Sequence, residues 1–577
     1  MPDLTRLHVT RAAGPTHGRL RGRLRSQLRL LGCAALLISA TFLSATGSAH
    51  SSTQSVLTVG TTYYIDSLNP FVGIEPQDDT AYTMVFPQLV QYGPGLTLQG
   101  DWASSWSASA NGLVWTFHLR SGRWSDGVPL TSRDAVWTIN TTLVDAKGPT
   151  AYLAGVLNDV KSASAPNAST LVITLTKPSA TFLSNLEQFF ILPQHVWAKY
   201  AGKNGAGLKN FNPGQHLPMV SGGPYTITQW QEKGTTVFRP NPYFYGPRSH
   251  AGAVALTYYT NATSLLADFE AGNLDYVEDV PYADASKLNG IKGVTVTYQP
   301  GNEVTNLGFN SNPLKPRNRE LLSTQVREAF EYAIPRQQLV STVFGGHAVP
   351  WANIMSSFSQ SSGWVNPAVK PLPYDPAKAN TILNALGYRR GPGGIRVVPA
   401  AKGRFPQASH QMSYRVIVPD DLDFDGNLQF QILQTAFQKI GVKLTEVPGG
   451  DASQAYTMIT GPNGKYLNAD MYTWYWHPYI DPNFNLSVVT RAQWNNNSDT
   501  GMNDPYYDRL WQQQSQLTNV TKRRALVWKM EAYLAQKRPY IQLVNTDLIT
   551  AHRNSWTGFY PNLWSYGKAY YTSPHPG

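Results

Sequence analysis

The segment Met471–Pro482, MYTWYWHPYIDP, gathers more binding chemistry than any other stretch of this chain. Tyr472, Trp474, Tyr475, Trp476 and Tyr479 crowd into nine residues beside His477 and Asp481. Aromatic faces offer broad apolar contact, stacking on sugar rings and cation–π attraction for basic groups. On a strand, alternate side chains point to opposite faces, so about half of these rings are expected to be core. The candidate ligand contacts in this segment are Trp474, Tyr475, Trp476, His477 and Asp481. Near the start of the globular body, Tyr63, Tyr64 and Asp66 form a second group just before Ser67-Leu68-Asn69-Pro70. Tyr456, in the segment after Asp451, is a further candidate.

These residues suit binding better than bond-making. The chain has no Gly-x-Ser-x-Gly elbow, no His-Glu-x-x-His, no phosphate-binding loop and no dinucleotide fingerprint. Gly461-Pro462-Asn463-Gly464-Lys465 lacks the spacing and the hydroxyl of a phosphate loop and reads as a surface turn. Asp421, Asp423 and Asp425 alternate somewhat as in a calcium loop, but no glutamate follows at the twelfth position. The expectation is a protein that is not an enzyme and that uses neither metal nor cofactor.

The elements that must position these groups alternate between strand and helix. Leu57–Gly60 opens as a strand, and Trp115, Phe117 and Leu119 lie on one face of another. Thr131-Ser132-Arg133-Asp134 is a capping box that starts a helix through Val136, Trp137 and Ile139. Further helices are expected over 263–271, from Thr324, after Asp375-Pro376 and over 428–440, with a strand over 442–447. The Gly/Pro-rich stretches 203–214 and 391–407 read as surface loops. The class is α/β.

Bulk properties narrow the partners. At 577 residues the chain exceeds one core, and 42% hydrophobic content is globular. The formal charge of +11 is concentrated in residues 1–49, which hold seven arginines and one acid; the rest has 40 basic against 35 acidic side chains. A nucleic-acid partner is therefore not expected. The arginines lead into the apolar run Leu28–Leu43 and then into Ser44-Ala45-Thr46-Gly47-Ser48-Ala49, the order of a secretory signal peptide cut after Ala49. Cys33, the single cysteine, would leave with it, removing disulfide and thiol chemistry.

Several blocks, in order, resemble the extracellular solute-binding proteins of the oligopeptide/dipeptide/nickel type that serve ABC importers. They are Ser67–Pro70, Trp115–Thr131 with Asp134-Ala135-Val136, Gly223-Pro224-Tyr225 with Arg239–Gly246, Asn306–Asn310, Val326–Ile334, Tyr374–Ala379 and Asp481-Pro482. The resemblance spans about residues 55–570. It implies a type II periplasmic-binding-protein clamshell: two mixed-sheet lobes joined by a two-strand hinge, with an extra domain inserted in the first lobe. The implied division is a leader over 1–49, lobe I over 50–92, an inserted domain over 93–219, lobe I again over 220–304, lobe II over 305–540 and a return over 541–577. Chain crossings are expected near 300–310 and 538–546.

The implied function is that of an exported, periplasmic or extracellular monomer that captures a small solute and delivers it to the permease subunits of an ABC importer. The solute would be an oligopeptide or dipeptide. Relatives place an aspartate a few residues ahead of the aspartate–proline turn to hold a peptide's α-amino group, whereas this chain has His477 or Pro478 there. An oligosaccharide held by the aromatic loop is the alternative. A chemosensory or chaperone-like adaptor would use the same fold. A secreted sugar-cleaving enzyme would need two carboxylates about 5–9.5 Å apart across a cleft, and no sequence feature suggests them.

Overall fold

The computed structural model describes residues 55–577 except 74–75, 94, 145–155, 279, 404, 421–423, 462–463, 467–468 and 561–567. The leader, Cys33, Asp421 and Asp423 thus lie outside the described residues. Within them, no helix is long and apolar enough to cross a membrane.

The main sheet contains 11 strands among the described residues. In one half, Val56–Thr61 runs parallel to Ala253–Tyr258 and to Tyr276–Val277. In the other, Ser413–Val418 runs parallel to Lys443–Pro448 and to Met471–Trp476. Two long antiparallel strands, Val294–Phe309 and Tyr540–Arg553, belong to both halves. Their ladder runs from Val294↔Arg553 to Pro300↔Asp547, is interrupted, and resumes at Val304↔Asn545. The buried Asn545 amide closes the gap by donating to the carbonyls of Gly301 and Glu303 at 3.0 and 2.6 Å. Glycine is required here, because a Cβ at position 301 would stand 2.7 Å from the Thr546 carbonyl oxygen.

Each half carries core on both faces. Leu57, Val59 and Phe238 pack one face of the first half, while Leu265, Phe269 and Ala551 pack the other. In the second half, Leu307, Phe330 and Leu433 face one way and Tyr472, Trp474 and Tyr540 face the other. A separate four-stranded sheet, in the order Ala103–Ala108, Val114–Leu119, Thr170–Leu175, Val160–Asn167, has its own core around Phe117, Leu171 and Ile173. Trp115, Phe117 and Leu119 are its buried alternation, as their spacing requires.

The helices start where capping chemistry places them. Asn261, Asp375 and Asp425 each accept a backbone N–H three residues on, at 2.9, 2.8 and 2.8 Å, opening Ala262–Ala271, Pro376–Ala385 and Gly426–Lys439. Asp134 accepts from the Thr131 N–H at 2.9 Å, completing the return arm of the capping box.

Two segments expected as surface loops are largely exposed but are each fixed from inside. In 203–214, Leu208 and Phe211 are buried, and their carbonyls accept from the Asn69 amide at 2.7 and 2.8 Å. Arg389–Arg390, Arg396–Val398 and His410–Gln411 form a small three-stranded sheet. It is locked by the buried Arg396 guanidinium, which donates to the Ile440 carbonyl at 2.6 Å and to Asn384 at 2.7 Å. Glycine and proline report backbone freedom. They do not report exposure when a long donor or an apolar plug fixes the segment from inside.

Candidate functional site

The strand Met471–Trp476 pairs with the long strand through Val304↔Trp476, Thr305↔Tyr475 and Asn306↔Trp474. That register sends Trp474 into the core, 4% exposed, beside Met355 and Tyr540. Tyr475, on the opposite face, is half-buried, with its ring 5.1 Å from that of His477. Trp476 is half-buried and meets Phe484 edge-on at 6.2 Å. The strand then ends, and His477 sets its Nε2 3.5 Å from a Glu303 carboxylate oxygen. The imidazole is half-exposed while Glu303 is buried, so a carboxylate stands behind the ring at the ladder gap.

The carboxyl ends of the parallel strands define where a solute can be held, because ligands of open α/β sheets bind outside these ends. In the first half, Val56–Thr61 leads directly into Tyr63, Tyr64 and Asp66. Tyr64 meets Tyr258 edge-on at 5.5 Å and lies under the Lys233 ammonium at 4.9 Å. The Tyr63 N–H donates to the Thr61 hydroxyl at 3.2 Å, and the Asp66 N–H donates to Asp78 at 3.0 Å. In the second half, the equivalent edge carries His477 and Tyr479.

Two acids that sequence reasoning missed lie near Tyr479. Asp79, on the helix Pro76–Val85, is exposed, yet desolvation pushes its carboxyl up to about 6. Glu187, from the edge of the four-stranded module, is pushed up to about 8, first by desolvation and then by the charge of Asp79, with Lys568 opposing. Tyr479, 49% exposed, has its pKa raised by desolvation and then by the fields of Asp79 and Glu187. Three segments far apart in sequence thus come near enough for the charges of Asp79 and Glu187 to act on Tyr479. Nothing in the sequence marks either as a site: Asp79 follows Asp78 in the first turn of its helix, where acids are ordinary, and Glu187 caps the end of the helix Phe182–Leu186.

Two other predicted residues are placed differently. Tyr456 donates its hydroxyl to the carbonyls of Asn496 and Ser498 and braces the second half from behind. Asp481 is engaged on every side: Arg523 donates to both its oxygens at 2.7 Å, Ser184 donates at 3.1 Å and the Asn483 N–H at 2.9 Å. Desolvation alone would raise its carboxyl, but Arg523 and these hydrogen bonds hold it below the usual range. Among the described residues, no cluster of histidine, cysteine, aspartate and glutamate has the makings of a metal site.

A family model for bacterial extracellular solute-binding proteins, family 5, matches residues 97–502. The chain belongs to this family. Among family relatives, a putative ABC transporter peptide-binding protein of Brucella ovis is 27% identical over 304 residues, 52% of this chain and 55% of that protein. The match thus spans about half the length of that relative. The glutathione-binding protein GsiB of Escherichia coli is 22% identical over 93% of this chain and 96% of its own. A solved ABC transporter substrate-binding protein, CtaP of Listeria monocytogenes, superposes with a TM-score of 0.74 at 18% identity, covering 91% of this chain and 99% of that one. The fold is therefore the mixed α/β clamshell of type II periplasmic binding proteins, and family 5 members are substrate-binding components rather than enzymes.

Proposed function

We propose that this chain is the exported solute-capturing component of an ABC importer, which closes its two lobes around a short peptide and passes it to permease subunits in the membrane. Family membership supports the transport role, and the names of the Brucella and Escherichia relatives support a peptide-like solute. The observation that carries the reading is the group of half-exposed rings, Tyr475, Trp476 and Tyr479, at the carboxyl end of the strand Met471–Trp476, with Asp79 and Glu187 near enough for their charges to act on Tyr479. Carboxyls raised by desolvation are stabilised when a cation joins them. A peptide's amino group, or a basic side chain, supplies one. The half-exposed rings of Tyr475, Trp476 and Tyr479 offer apolar contact along the rest of the ligand.

The test is a calorimetric and thermal-shift panel of three- to five-residue peptides, their N-acetylated counterparts and cello-oligosaccharides. A ligand at a hundredfold excess over its Kd raises apparent stability by about 2.7 kcal/mol. Free-amine peptides should shift the melt and acetylated ones should shift it less. A shift by oligosaccharides alone would replace the peptide reading with the carbohydrate one.

A further inference from the structure

Behind the aromatic segment, the loop 496–502 is pinned into the second half by tyrosine hydroxyls. Tyr456 donates to the carbonyls of Asn496 and Ser498, Tyr466 donates to the Ser498 carbonyl at 2.5 Å, and Tyr540 donates to the Asp499 carboxylate. Asp499, Tyr472 and Tyr540 are all buried. Two further groups approach the Tyr540–Asp499 pair without full hydrogen-bond geometry: the Tyr472 hydroxyl near Asp499, and the Trp476 indole N–H near Tyr540. The Trp476 ring is half-buried at the carboxyl end of the strand Met471–Trp476, while its N–H is buried and aimed inward. Buried donors are nearly always paired, and Tyr540 is the partner within reach of this one.

We propose that Asp499, acting through the Tyr540 hydroxyl, is a positioning residue for the Trp476 ring, so that gain or loss of its proton changes how that ring meets a solute. The inference rests on the reading above in taking Trp476 as a solute contact. An ionised Asp499 can only accept, so Tyr540 directs its proton there and turns its lone pairs to the indole N–H. The three groups then form one polarised chain in which each hydrogen bond strengthens the next. A protonated Asp499 donates to Tyr540 instead. The Tyr540 proton is then displaced toward Trp476, donor meets donor, and the indole is released. Desolvation pushes the Asp499 carboxyl up to about 7, with Tyr540, Tyr472 and backbone N–H groups opposing, so both forms are populated near neutrality. The titratable groups facing it are Tyr456, Tyr466, Tyr472 and Tyr540, all raised by burial and by its own field, with Arg327 acting on Tyr472. None of these hydroxyls changes charge near pH 7, which leaves Asp499 as the group that does.

Trp476 itself is the probe. The whole protein, which holds 16 tryptophans, is labelled with fluorotryptophan, and the Trp476 resonance is identified by its loss in Trp476→Phe. Melting curves first confirm that Asp499→Asn and Tyr540→Phe are folded. In the solute-free parent the resonance should titrate with a midpoint at about 7, and in both variants it should stay flat. A flat resonance in the parent, or the same titration in Asp499→Asn, would overturn the proposal whatever the solute is. Peptide affinity is then compared at pH 6 and pH 8. The parent should gain about threefold more than Asp499→Asn toward pH 8, because its ring is held there; Asp79 and Glu187 contribute alike to both proteins. Equal gains would sever Asp499 from solute binding and overturn the proposal. Binding of no peptide by either protein would sink the peptide reading, while the resonance still decides what positions the ring.

Discussion

Carboxylates border the loop after Met471–Trp476 on two sides, and the two sides behave oppositely. Asp481 is saturated by Arg523, Ser184 and Asn483, and its carboxyl is held below the ordinary range. Asp79 and Glu187 are pushed up to about 6 and about 8 by desolvation. The first is wired into the protein and charged. The others are desolvated, which disfavours their charged form. The same residue type is thus held charged by its partners in one place and disfavoured as a charge in the other, and local surroundings decide which.

The sharpest way to break this contrast is to remove the cation from the saturated side. Arg523→Ala should lower stability by about 3–5 kcal/mol, because Asp481 would remain buried and unpaired. Chemical denaturation measures it; a change below about 1 kcal/mol would show that the pair is ornamental. Trp474→Ala should lower stability by a comparable ~3–5 kcal/mol, since the ring is core. Tyr479→Ala, from the same segment, should stay within about 0.5 kcal/mol and instead weaken peptide binding. Equal melting losses in the two variants would erase the division between the buried and the exposed rings of this segment.

A third experiment varies pH. Asp499 and Glu278 are pushed up to about 7, and Glu531 to about 8, in each case by desolvation first. An acid with a raised folded pKa contributes stability that is fully present below its unfolded pKa and is lost as pH rises through the folded value. The melting temperature should accordingly fall between pH 5 and pH 8. Asp499→Asn should flatten part of that slope, and an unchanged slope would remove Asp499 from the set. A further experiment addresses the two acids near Tyr479. Asp79→Asn with Glu187→Gln should weaken a free-amine peptide about tenfold, equivalent to ~1.4 kcal/mol. Isothermal titration would show it, and a loss shared equally by the acetylated peptide would disconnect the acids from the amine.

Much of the fold is legible along the chain because its signals are local. Asp375-Pro376 caps and starts its helix from adjacent residues, and Trp115, Phe117 and Leu119 face the module core by strand alternation alone. The aromatic segment was legible as a place but not as a set of roles. Alternation anticipated that part of it would be core, and Trp474 is. The remaining roles depend on long-range partners. Arg523 determines what Asp481 does from 42 residues away, and Glu303 stands behind His477 only because two strands cross at that point. Asp79 and Glu187 acquire character solely from the walls around them. The buried lock on 389–411 was hidden for the same reason, since Arg396 reads as a charged surface residue until its carbonyl partners are assembled.

The two long strands have a consequence for how the molecule comes apart. Val294–Phe309 and Tyr540–Arg553 lend one continuous pair of backbones to both halves, with Asn545 spanning the break in their ladder. Neither half can melt without fraying the edge of the other. A calorimetric scan should therefore register the two halves as one cooperative unit, while the four-stranded module, with its own core, is free to contribute a separate transition.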